Sequence, residues 1–299
     1  MNAQLFVRLA PAVFVFLWST GFVGAKYGMS GAEPFTFLSL RFFIAGVLIA
    51  CIGFFLSTRW PRSPLAYAHL AVSGALIHGV YLGAVFAAIY HGLPAGISAV
   101  IVSLHPLLTA AIATRWLGER LTLWNVAGLF IALFGLVLVL GGEKLLEMPA
   151  TTSGIILSVA GLFGISLGTL YQKRFCTDFD LLSGTSIQYA SATLLLLIPA
   201  LLIETREISW TPAVFGAMLW LVVALSLIAV ILLMFLIRHG EANRVATLFY
   251  LVPALTTLET WLLFDEQLSV QAICGIILCM GGVYLARSSA ERSTQSESS

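Results

Sequence analysis

The sequence predicts an all-α membrane protein: ten transmembrane helices in two inverted five-helix repeats around a central cavity. Three observations carry that expectation: an apolar composition, ten apolar runs of spanning length, and one residue pattern that occurs twice. Of the 299 residues, 60% are hydrophobic and only 10% are charged. A soluble domain of this length needs far more polar surface, so hydrocarbon is the solvent for most of the chain. A net charge of +1 says nothing about nucleic acid, but the sequence has no basic arm and no basic patch with interleaved aromatics to bind it.

A helix needs ~20 apolar residues to cross the hydrocarbon core. Breaks at charges, prolines and glycine clusters delimit ten runs. The first, 9–27, lies between Arg8 and Lys26; it has no small-x-small cleavage site, so it reads as a retained helix rather than a signal peptide. Runs 35–56 and 66–90 are separated by Arg59 and Arg62, and 94–115 closes at Arg115. Then follow 122–141, 152–172, 182–203 and 213–237, bounded by Arg120, Lys173, Asp180, Glu204 and Arg238. The last two, 244–264 and 269–287, flank Asp265 and Glu266. The tail 288–299 is rich in Ser and Glu and is expected to be disordered.

The chain repeats itself at an offset of 147: Pro106, Glu119, Gly128 and Gly135 recur as Pro253, Glu266, Gly275 and Gly282. Gly21, Lys26, Ser39 and Ala45 recur as Gly168, Lys173, Ser186 and Ala192. The halves are therefore 1–147 and 148–287. Loops on one side, with both termini, hold Arg8, Arg59, Arg62, Arg115, Arg120, Lys173, Arg174, Arg238, Arg244, Arg287 and Arg292. The other side holds only Lys26, Lys144 and Arg206. The positive-inside bias puts both termini in the cytoplasm. Five spans per half is an odd number, so the second half enters from the opposite face. Inverted halves can open a shared site to one side and then to the other.

With those features the chain resembles the drug/metabolite transporter superfamily, its EamA-type ten-helix bacterial exporters in particular. Carrying the likeness are the five-plus-five repeats, the Pro–Glu–Gly–Gly pattern, Trp18 to Gly21, and Arg41 in the second span. The resemblance covers about residues 9–287. It implies a central cavity lined mainly by spans 1, 3, 4, 6, 8 and 9. It also implies an inner-membrane location and export of amino acids or related metabolites.

Several residues are candidates for that work. Pro106 and Pro253 sit mid-span at matched places, either as moving hinges or as static kinks. Arg41, whose repeat partner is Gln188, either attracts an anionic group such as a carboxylate or bonds backbone carbonyls as scaffold. His78 and His105 lie near the predicted midplane, where a histidine contacts substrate, relays a proton or merely bridges helices. Glu259 is the one carboxylate more than a turn inside an apolar run and is a candidate for proton coupling. Trp18, Tyr81, Phe86, Tyr171, Tyr250 and Trp261 lie on expected cavity spans, while Trp60, Trp116, Trp124, Trp210 and Trp220 suit the interface. Gly24/Gly28, Gly92/Gly96 and Gly164/Gly168 have the spacing of close helix contacts. The cysteines read as small buried hydrophobes.

No cofactor or metal is expected. The chain has no His-Glu-x-x-His helix, and Asp178, Asp180 and Asp265 fall in loops, which removes the common intramembrane enzyme chemistries. A facilitative channel or an exporter of drugs and other amphipathic compounds is the alternative. The expected partners are a small-molecule substrate and the lipid bilayer, with the protein a monomer or homodimer.

Overall fold

A computed structural model describes residues 3–93, 98, 101, 102, 104, 105, 108, 109, 112, 123–139, 151–177, 179–229, 232, 255, 270, 271, 273–278, 280–282, 284 and 285. Among the described residues the regular structure is helical, apart from one isolated bridge between Ala32 and Ile208. In chain order the helices are α1 (Ala3–Gly28), α2 (Pro34–Phe55) and α3 (Pro64–Gly74). The third span continues through a π-helical segment, π1 (Ala75–Val80), into α4 (Tyr81–Tyr90). Then come α5 (Leu123–Val139), α6 (Thr152–Phe175), α7 (Leu181–Ile203), α8 (Pro212–Trp220) and a second π-helical segment, π2 (Leu221–Ala229). Five of these rods are long and apolar enough to cross a membrane: Pro34–Phe55, Pro64–Tyr90, Thr152–Phe175, Leu181–Ile203 and Pro212–Ala229.

The chain forms two compact units. One comprises Met1–Val23, Pro106–Met148 and Ile231–Ser299; the other comprises Gly24–His105 and Pro149–Val230. In the first unit, the backbone of α5 at Gly128 and Ala132 lies directly against Gly282, so that glycine of the repeated pattern serves close helix contact. The second unit holds all five long rods and most of the polar side chains considered below.

Local sequence sets where the rods of the second unit begin. Ser63, Thr151 and Thr211 each accept a hydrogen bond from a first-turn amide, those of Ala66, Gly154 and Val214, and Asp180 accepts from Leu182. Such caps satisfy amides that a helix start leaves unpaired. Proline occupies the first helical turn of α2, α3 and α8, where its missing N–H costs nothing. Gly92, at φ +86°, ends α4, and the Leu93 amide returns to the Ala88 carbonyl. Its role is to stop a helix; nothing lies within 4 Å of where its side chain would be, so it is not a packing glycine.

Helices α2 and α7 are equivalent under the 147-residue repeat, and they pack against each other antiparallel. The start of α2 meets the end of α7: Glu204 accepts from the amides of Phe35 and Thr36 (2.8 and 2.6 Å) and from the Thr36 hydroxyl (2.7 Å). Glu33 reciprocates, accepting from the Thr205 amide and hydroxyl (2.6 and 2.7 Å). These bonds hold its carboxyl below the usual range, the Thr205 hydroxyl contributing most. At the opposite end, Ser183 of α7 donates to the Arg59 carbonyl (2.9 Å), and Gly53 of α2 lies beside Leu182. Thr36 and Ser183 are repeat-equivalent, so the two ends of this pair are secured by matched contacts.

Lipid supplies no hydrophobic drive between helices; close packing and polar contacts hold them instead. Phe37, Leu38, Phe42 and Ile49 of α2 are essentially fully buried, whereas Phe43, Phe54, Phe55, Leu202 and Ile203 turn outward. A surface this apolar belongs in hydrocarbon. Cys51 and Cys274 share it: both are exposed, not buried as expected from the sequence, because each sits on an outward helix face. Trp60, Trp124, Trp210 and Trp220 are exposed as well.

Candidate functional site

The site is built where α2 crosses α7. The rings of Phe42 and Tyr189, repeat-equivalent residues, meet there with centroids 5.1 Å apart and planes at 37°. Contact between equivalent residues marks the local two-fold relation between the halves. Next to each ring stands a polar residue, Arg41 on α2 and Gln188 on α7, also equivalent. On either side lie the π-helical segments: α2 packs on π2, and α7 packs on π1.

Arg41 is only 7% exposed. One of its terminal nitrogens donates to the Ser226 hydroxyl on π2 at 3.4 Å, a long bond, and its guanidinium carbon stands 5.3 Å from the Phe42 ring centre. Among the described residues its Nε has no hydrogen-bond partner. Among the described residues, Tyr189 and His78 are the ionisable neighbours that bear on it, and no carboxylate does so. A cation in a membrane span costs about 2.5–3.5 kcal/mol on insertion scales. An unmet donor adds to that cost.

Gln188 is better served. Its amide donates to the Ser73 hydroxyl (3.0 Å), which donates in turn to Gln172 of α6 (3.3 Å). His78 sits on π1 with its ring edge-on to Tyr189 (4.9 Å, 75°) and tilted on Phe42 (5.5 Å). The Tyr189 hydroxyl shares the neighbourhood of Ser226. Close approach makes this possible: a Cβ on Gly74 would strike the backbone of Gln188, so only glycine lets α3 lie this near α7.

Of the residues singled out from the sequence, Arg41, His78 and Gln188 are thus brought together. Tyr81, the residue that follows π1, shows its backbone to α6, where Gly161 and Gly164 lie against its carbonyl and amide. His105 is half-buried in the same unit, and its carbonyl accepts from Ser166 at 3.5 Å. Phe86 is buried in α4. Tyr171 joins a different cluster, near the start of α3 and the end of α6: its hydroxyl is 2.7 Å from His69 Nδ1, and His69 stacks on Phe175 (4.8 Å, 6°). Trp18 belongs to the first unit, half-buried against Phe14 at 5.4 Å. Tyr250, Pro106, Pro253, Glu259 and Trp261 lie outside the described residues.

Sequence reasoning missed Ser73, Tyr189 and Ser226, and also His69. Tyr189 was within reach as the repeat partner of Phe42. Ser226 is the lone polar residue in the apolar run Leu221–Ala229, a pattern that a serine bridging helices also produces. Among the described residues no group of His, Cys, Asp and Glu could hold a metal ion.

Comparison with known proteins adds the following. The profile of the EamA-like transporter family matches the chain twice, over residues 7–141 and 152–288. A protein of Escherichia coli (strain K12) named as a probable amino-acid metabolite efflux pump is 27% identical, over 91% of each chain. The transporter YvbV of Bacillus subtilis (strain 168) is 23% identical, over 93% of this chain and 90% of its own. A solved crystal structure superposes with a TM-score of 0.73 at 20% identity, covering 96% of this chain and 98% of the other, which is a likeness of fold.

Proposed function

For a chain that belongs to the EamA-like transporter family, a ten-helix membrane family with two repeats and no enzymatic role, we propose the following finer reading. The protein is a secondary carrier of the bacterial inner membrane that exports amino acids or related small metabolites by alternating access, with both termini in the cytoplasm. That it is an integral membrane transporter of small molecules follows from the family; substrate class, direction and mechanism are the proposal.

The observation that supports it is Arg41: a guanidinium in a membrane span, buried, with its Nε unmet and no carboxylate beside it among the described residues. Such a cation is costly unless an anion completes it. A substrate carboxylate is the natural complement, since guanidinium and carboxylate match in shape and charge. Phe42, Tyr189 and His78 offer ring surfaces for an apolar or aromatic substrate body. The names of the Escherichia coli and Salmonella typhimurium relatives, each a probable amino-acid metabolite efflux pump at 27% identity, point the same way.

A growth screen of an overexpressing strain against toxic amino-acid analogues and cationic antimicrobials tests this reading. Resistance confined to carboxylate-bearing analogues is expected. Resistance confined to cationic drugs would overturn the substrate class. Flux in proteoliposomes with and without an imposed pH gradient separates proton exchange through His78, His105 or Glu259 from uniport.

A further inference from the structure

Two π-helical segments in one chain are uncommon, and these two are related by the repeat. Spans 3 and 8 begin alike: Ser63 caps α3 with Pro64 following, and Thr211 caps α8 with Pro212 following. Counting from those caps, the local offset is 148, one more than elsewhere, because the second copy holds an extra residue before its cap. Under that offset π1, Ala75–Val80, falls wholly within π2, Leu221–Ala229, and His78 stands opposite Ser226. Each of the equivalent polar residues at the α2–α7 crossing then bonds to the span that carries one of these segments. Arg41 on α2 reaches Ser226 on π2, and its counterpart Gln188 on α7 reaches Ser73, two residues before π1, while the adjacent Tyr189 ring meets His78 on π1.

The pair is unequal in this structure. The Gln188 side is tight, reinforced by the 3.0 Å bond to Ser73 and onward to Gln172. The Arg41 side is slack: among the described residues it has one 3.4 Å bond and an unmet Nε. Inverted repeats that exchange conformations require such inequality: what one half does in one state, the other does in the opposite state. A π-helical turn holds one residue more than an α-turn, so moving that residue along the helix shifts the segment beyond it by ~1.5 Å and turns it by ~100°. That is a hinge without proline.

We propose that π1 and π2 are the paired hinge of this carrier, and that Gln188–Ser73 and Arg41–Ser226 are its two latches, one tight and one slack in each facing state. This rests on the alternating-access reading above. Ser226, Ser73 and Gln188 are positioning residues here, acting on the hinge and not on a substrate.

The test is hydrogen–deuterium exchange on the full chain in lipid nanodiscs, without substrate, comparing α3 with α4 on the two sides of π1. Ser73→Ala removes the hydroxyl of one latch; Ser226→Ala removes that of the other. The two variants are expected to move the α3-to-α4 exchange ratio in opposite directions. Ser73→Ala has the larger effect, since it loosens the tight latch, and a lost hydrogen bond of ordinary strength corresponds to about threefold to tenfold in a two-state ratio. Gln188→Leu, which breaks the same latch from α7, should move the ratio in the same direction as Ser73→Ala and stands in for it should that variant fold poorly. Shifts of the same sign from both latches, or no shift from either, overturn the hinge. Because no substrate is used, a wrong substrate class leaves this test intact, and carboxylate-selective resistance without reciprocal exchange would sink the hinge alone.

Discussion

Gly74→Ala is the sharpest single perturbation of the site's framework. The added Cβ would lie 2.7 Å from the Gln188 carbonyl carbon and closer still to its Cα and carbonyl oxygen. Carbon atoms in contact rest at about 3.5–4.0 Å, so α3 and α7 must part by roughly 1 Å. Backbone is what gets struck, so no side-chain rotation relieves the clash, and overpacking of this kind costs about 1–3 kcal/mol. Parting the helices by that distance also stretches the 3.0 Å Gln188–Ser73 bond past useful length, adding about 1 kcal/mol. The expected total is about 2–4 kcal/mol, read as a clear fall in thermal stability of the purified protein in detergent, together with reduced efflux. Gly216→Ala is the matched control: nothing lies within 4 Å of its Cβ position, and the change should be neutral or stabilise α8 by up to about 1 kcal/mol. If Gly74→Ala proves as stable as Gly216→Ala, the close approach of α3 to α7 is wrong.

Other outcomes follow from the same contacts. Arg41→Ala should weaken transport of carboxylate-bearing substrates by about tenfold or more relative to neutral analogues, the worth of a charge-assisted bond; equal loss for both indicates a scaffold. Glu33→Gln tests the carboxylate strap. Its folded-state pKa is lowered from 4.5, so its contribution is complete above that value and disappears as pH falls below it through the lower folded value. The variant should therefore lose about 1 kcal/mol or less near pH 7, exposure screening the bond, and match the parent in strong acid; a deficit that persists in acid refutes the ionic role. Cys176, at the end of α6 beside Lys173 and Arg174, is half-buried, which raises its thiol pKa. A membrane-impermeant maleimide should label it from the cytoplasmic face alone, slowly at neutral pH and faster in alkali. Labelling from outside intact cells would reverse the proposed topology.

Much of this was legible from composition and spacing. Membrane class, span positions and family likeness all follow from them, because in lipid each rod must satisfy its own backbone hydrogen bonds, and a run of ~20 apolar residues has few alternatives. The expected 35–56 and 182–203 differ from α2 and α7 by at most one residue at either end. The repeat offset already paired Arg41 with Gln188 and Phe42 with Tyr189, since duplication preserves position even where identity is lost. What spacing could not reveal is which equivalent residues touch. The meeting of Phe42 with Tyr189, and of Gln188 with Ser73, depends on α2 and α7 lying antiparallel and on a glycine admitting α3 to within backbone contact. The outward turn of Cys51 and the parting of Tyr171 from Arg41 likewise depend on helix rotation, which an apolar sequence barely encodes: with lipid outside and apolar side chains inside, both faces of a rod read the same. The π-helical turns are hidden for a related reason, since Ala75–Val80 reads as ordinary apolar helix, and only packing against α6 and α7 selects the wider turn.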